Sequence, residues 1–218
     1  QFKLNNPINN FEWTVLPLHY TWRLTKSITT FVNKVVLQSN RLKTMKVNDQ
    51  KIEYKILNIY GNNISIYFKK IFSKLFKLGY EDKDIFILAP STKSTGNTSV
   101  NKIANYLSKT EHNIFIEKKD INTTNGNIKQ KSYLDNKILI SSFHQSKGLE
   151  RKVVIIMNFD SSYYKYFAKN EEKEFCTNGM YVALTRPSEK LILIHNRDCD
   201  YLPFVDKNVL KDTKFSKY

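Results

Sequence analysis

The chain of 218 residues, 41% apolar and 25% charged, suits a soluble globular protein with one sizeable α/β domain. It lacks an apolar stretch of membrane-helix length and a signal-peptide pattern, and Cys176 and Cys199 give neither a disulfide framework nor a metal spacing. Lys and Arg number 35 against 20 Asp and Glu, a net charge of +15 that points to a polyanionic partner, nucleic acid before acidic membrane. The expectation is a soluble intracellular protein, cytoplasmic or nuclear, with no bound metal. An AT-rich genome would produce the same Lys-, Asn- and Ile-rich composition, so the charge supports a nucleic-acid partner without deciding it.

Residues 1–18, with Asn and Pro scattered through them, read as a connection. Over 24–37, Ile28, Phe31, Val32, Val35 and Val36 recur at helical spacing, with Thr25 as N-cap. Residues 52–60 alternate as a strand. Asn62 or Asn63 then opens a long helix with Ile66, Phe68, Ile71, Phe72, Leu75 and Phe76 on one face, and Gly79 closes it. A short apolar strand at 84–89 ends at Pro90, followed by a helix at 100–107 and a strand at 113–117. Residues 120–136 are polar and read as a surface excursion. Further strands are expected at 137–142, 153–158 and 191–195, and from Asp198 the periodicity fades into a basic tail. Apolar strands alternating with helices imply a mostly parallel sheet covered on both faces. Functional groups in such sheets gather at the strands' carboxyl ends, where Ser91 and His144 follow directly. Trp22, Phe143 and Tyr181 read as core packing, and Lys69-Lys70 and Lys118-Lys119 as solvated faces.

No Gly-x-x-x-x-Gly-Lys-[Ser/Thr] occurs, so the chain has no phosphate-cradling P-loop. Glycine is scarce, no Cys/His cluster suggests a metal, and no nucleophile elbow is present. Yet residues 142–150 are dense with polar function, as expected of one half of a site whose other half lies elsewhere.

Ser142-Phe143-His144-Gln145-Ser146-Lys147-Gly148-Leu149-Glu150 resembles motif V of the UvrD/Rep-type superfamily 1 helicases. Tyr181-Val182-Ala183-Leu184-Thr185-Arg186 is similar to their motif VI almost letter for letter, and Leu18-His19-Tyr20-Thr21-Trp22-Arg23 ahead of an apolar helix resembles their motif IV. The resemblance implies a RecA-like three-layer α/β domain over 21–197, the second motor domain of an ATP-dependent DNA helicase. Residues 1–20 would be the connection from a missing first RecA-like domain and 198–218 a basic tail. The P-loop's absence follows, because that family carries it on the first domain.

Carried over by resemblance, Arg23 and Arg186 would be the catalytic arginines, reaching the γ-phosphate of ATP bound, with Mg2+, on the missing domain. Glu150 would accept a hydrogen bond from the ribose hydroxyl and Gly148 would let the backbone approach the nucleotide. His144, Ser142 and Lys147 would contact single-stranded or duplex DNA, and Phe2, in a stretch similar to the end of motif III, would stack on a base. This chain alone would then be inactive, and no membrane partner is implied.

The sequence also departs from the family. Only 120–136 stands where typical members insert a large subdomain ahead of motif V, a compactness similar to the RecD-like branch, so the direction of travel stays open. Gly179 stands where the family carries an apolar residue and Pro187 where Ala is common, departures that fit a divergent, viral member. Two other readings stay open: the helicase part of a helicase–nuclease, and a non-catalytic nucleic-acid-binding module derived from a helicase.

Overall fold

The computed structural model describes residues 19–93, 98–117 and 135–218. Phe2, the connection at 1–18 and most of the polar excursion at 120–136 lie outside the described residues. Two short strands, β1 (Tyr20–Thr21) and β2 (Lys43–Thr44), pair in parallel as a small ribbon of their own. Between them runs α1 (Lys26–Phe31), which starts where expected because the Thr25 hydroxyl accepts the Ile28 N–H at 3.4 Å. The helix then widens into a π-helical turn over Val32–Leu37 and stops at Gln38, whose φ of +48° is left-handed.

Seven parallel strands follow: β3 (Glu53–Leu57), β4 (Ile85–Ala89), β5 (Ile114–Ile116), β6 (Ile138–Ser142), β7 (Arg151–Ile156), β8 (Pro187–Asn196) and β9 (Lys214–Lys217). They form one sheet in the order β5-β6-β4-β7-β8-β3-β9. Every pairing is parallel, so each connection is a crossover and the intervening segments are thrown onto the two faces. One face is covered by α2 (Ile64–Lys77) and α3 (Ser99–Ser108). The other is covered by α1, α4 (Ser162–Tyr166) and α5 (Asn178–Leu184). This is the expected three-layer α/β architecture. The central strands are buried on both sides, which is why they read as unbroken apolar runs in the sequence. Gly79 closes α2 as expected: its φ of +85° lets its N–H reach Phe76 O at 2.9 Å and the Tyr80 N–H reach Leu75 O at 3.2 Å. No helix of the described residues is long and apolar enough to cross a membrane.

Two expectations are corrected. Residues 198–218 are no loose basic tail: Leu202, Phe204, Val205 and Leu210 are buried, and β9 adds the seventh strand beside β3. Lys214-Phe215-Ser216-Lys217 offers a single apolar side chain, Phe215, which stacks on Tyr54 at 5.8 Å, so backbone pairing rather than hydrophobic pattern places it. Trp22 is 76% exposed rather than core, because the β1–β2 ribbon projects from the sheet; Phe143 is buried as expected.

The face under α2 holds a group that the sequence did not announce. Glu53, buried in the sheet, takes Lys74 at 2.6 Å and Lys190 at 2.8 Å on one carboxylate oxygen and Lys55 at 3.0 Å on the other. Burial alone would push this carboxyl up. The hydrogen bonds from Lys190 and Lys74, the charge of Lys190 and the bond from Lys55 together outweigh burial and hold it at about 2.

Candidate functional site

The connection from β6 to β7 carries the first group of site residues. Ser142 starts it, accepting the Gln145 N–H at 3.3 Å and donating to Gln145 Oε1 at 2.8 Å. Ser146 tightens it, its hydroxyl donating to Phe143 O at 2.7 Å, while buried Phe143 pins the turn to the core. Gly148, with φ +86° and open space around it, then redirects the chain to Leu149 and Glu150.

α5 carries the second group. Thr177 caps it by accepting the Met180 N–H at 3.3 Å, and Met180, Ala183 and Leu184 bury its inner face. At its first turn Gly179 lies against His144: a Cβ there would come within 3.2 Å of His144 Cε1. Beyond its last turn Arg186 donates from Nε to Val182 O at 2.9 Å and from the terminal nitrogens to Leu149 O and Thr185 Oγ1, both at 3.2 Å. The 142–150 connection therefore runs alongside α5 from end to end, a span of about 10 Å at the helical rise. It starts at the carboxyl end of β6 and finishes at the amino end of β7.

Arg23 completes the group from a third element. Its guanidinium forms an ion pair with Glu150 at 3.4 Å, with the two side chains 37% and 61% exposed. Arg186 lies close enough to feel both: burial lowers its pKa first, the Arg23 charge lowers it further, and Glu150 opposes them. Three of the five guanidinium donors of Arg186 are engaged and two stay free, as do the terminal nitrogens of Arg23, among the described residues. Two guanidiniums with spare donors beside one carboxylate suit phosphate oxygens. Among the described residues no group of three or more His, Cys, Asp or Glu could hold a metal ion.

Residues 24–198 match the UvrD-like helicase C-terminal domain. The chain belongs to that family. Among solved structures, the C-terminal domain of a possible DNA helicase from Lactobacillus plantarum WCFS1 is similar in fold, with a TM-score of 0.54 at 13% identity over 90% of this chain and 98% of that one. The E. coli DEAD-box protein SrmB bound to regulator of ribonuclease activity A aligns at a TM-score of 0.37 and 13% identity, over 79% of this chain and 92% of that one, and carries no argument. No curated protein sequence matches.

In this UvrD-like domain the residues expected to form a site are thus split between the two ends of the sheet. Arg23, Gly148, Glu150 and Arg186 sit together at the amino ends of β7 and β8, where Arg151 pairs with Pro187. The expectation that functional groups gather at the carboxyl ends holds for the placement of Ser142 and His144 and fails for the arginines. His144 and Lys147 are exposed, Ser142 half-buried. Lys46 was missed: its ammonium donates to Arg23 O at 3.3 Å and to Ser188 O, tying the ribbon that presents Arg23 to the start of β8. Thr44 does similar work, donating to Leu24 O at 2.6 Å. A lysine acting on backbone carbonyls leaves no trace in residue order, so no sequence signal could have found it.

Proposed function

We propose that this chain is the second motor domain of an ATP-dependent DNA helicase or translocase, acting inside the cell on ATP and Mg2+ bound by a P-loop RecA-like domain outside this sequence. The observation that supports the reading most is the meeting of Arg23 and Arg186 at the Leu149-Glu150 segment, each with donors to spare. A phosphoryl group in transfer gathers negative charge on its oxygens, and always-protonated guanidiniums fixed beside it stabilise that charge. Supplying them from a second domain makes hydrolysis depend on closure of the cleft between domains. Glu150 holds Arg23 until closure and then accepts a ribose hydroxyl, while the open space at Gly148 admits the nucleotide. Metal-bound phosphate chemistry is supplied from the other domain; this chain's part is charge and position.

His144 and Ser142, at the opposite end of the same connection, and Lys147 within it would grip a single strand; Phe2, outside the described residues, would stack on a base. One connection spanning both ends of the sheet gives nucleotide state a short route to the strand. Net charge of +15 suits the phosphate backbone as partner.

The isolated chain tests the division of labour. It should bind single-stranded DNA weakly, losing on the order of tenfold in affinity between 50 and 200 mM salt, and hydrolyse no ATP above background. ATP hydrolysis by this chain alone, lost in Arg186→Ala, would refute the split site.

A further inference from the structure

On the α2 face, remote from the arginines, a cavity of about 180 Å3 lies between α2 and the β3–β9 edge of the sheet. Its floor carries Glu53 and Lys55, its roof Tyr67, Lys70 and Lys74, and Tyr218 lines it from the end of β9. The roof residues follow helical spacing, so one face of α2 presents two ammoniums to the space. Behind the floor lies Lys190, buried against the same carboxylate. Three ammoniums thus converge on Glu53 alone, and a fourth, Lys70, makes no ion pair among the described residues. Lys55 and Lys190 are buried and share this one carboxylate, so one interior positive charge lacks a counter-charge, while Lys70 and Lys74 stand exposed at the mouth.

We infer that this cavity is an anion site for a phosphate group, bound by Lys55, Lys70 and Lys74 beside the packed rings of Tyr67 and Tyr218, whose centroids lie 5.5 Å apart. At about 180 Å3 it falls below the roughly 300 Å3 at which small-molecule pockets begin, so it takes a phosphate and excludes a whole nucleotide. The phosphate comes either free from solution or from the backbone of a nucleic acid passing over α2. Neither source involves the arginine group, and the proposal stands whether or not that group serves ATP.

The test is thermal unfolding of the 218-residue chain titrated with inorganic phosphate, with ionic strength held constant by chloride. The midpoint should rise along a saturable single-site curve. The paired change Lys70→Gln, Lys74→Gln should weaken apparent affinity by about tenfold or more, while the charge-matched Lys169→Gln, Lys173→Gln on the other face stays within about twofold. Lys70→Gln alone breaks no ion pair and keeps the test valid if the paired variant does not fold; it should weaken binding about threefold. No saturable rise in the unaltered chain, or equal weakening in both paired variants, overturns the site. A short single-stranded oligonucleotide distinguishes the sources: competition with phosphate that disappears in Lys70→Gln assigns the backbone, and saturable phosphate binding without competition assigns free phosphate.

Discussion

Two charged groups in this domain are built on opposite plans. Arg23, Glu150 and Arg186 come from three separated stretches, stand at the sheet's amino edge, are partly exposed and leave guanidinium donors unused. Glu53, Lys55 and Lys190 come from adjacent strands, lie inside the sheet layer and are closed over by Lys74 from α2. The first arrangement contributes little to stability, because exposed ion pairs are screened by water. The second is deeply coupled to folding, because removing one partner strands charge in the interior. Spare donors at an edge suit a ligand, as proposed for the arginines; the bonds gathered on the buried Glu53 carboxylate tie β3, β8 and α2 together.

The sharpest contrast is in stability. Glu53→Gln should lower the unfolding free energy by about 3–5 kcal/mol, against less than about 1 kcal/mol for Glu150→Gln, both read from denaturant midpoints. Comparable losses would erase the distinction. Acid titration sharpens it. The Glu53 carboxyl is held at about 2 against an ordinary 4.5, so its contribution is complete above pH 4.5 and fades as pH falls toward 2. That contribution is worth up to about 3 kcal/mol, and the pH dependence should flatten in Glu53→Gln.

Smaller effects belong to the edge. In a protein that joins this domain to the proposed P-loop domain, Lys46→Met, loosening the ribbon that carries Arg23, should slow ATP turnover roughly tenfold, with Lys46→Arg recovering most of it. An unchanged rate would make the Lys46 contacts structural only. Gly179→Ala should displace His144 by a few tenths of an ångström. Single-strand affinity, measured by fluorescence anisotropy, should then fall by about threefold while thermal stability stays nearly constant.

The three-layer sheet was legible because parallel strands buried on both faces advertise themselves as apolar runs, as at Ile85–Ala89 and over 153–156 of β7. The caps at Thr25 and Gly79 were legible because hydroxyl and glycine chemistry is local. β9 was hidden because backbone pairing with β3, over four residues, needs no side-chain pattern. Arg23, Glu150 and Arg186 were singled out by their resemblance to helicase motifs, and the sheet brings them together; their place at the amino edge depends on the whole topology. Lys46 and the Glu53 group lay beyond sequence reading for the same reason, since their partners are distant in the chain.

Arg186, with Arg23, is proposed to stabilise charge on a phosphoryl group presented by another domain. Single-turnover ATP hydrolysis by a protein that joins this domain to the proposed P-loop domain measures this directly, alongside single-strand affinity. Arg186→Ala should slow hydrolysis by about a thousandfold or more while leaving single-strand binding within about threefold. Hydrolysis within a few-fold of the unaltered protein would contradict it.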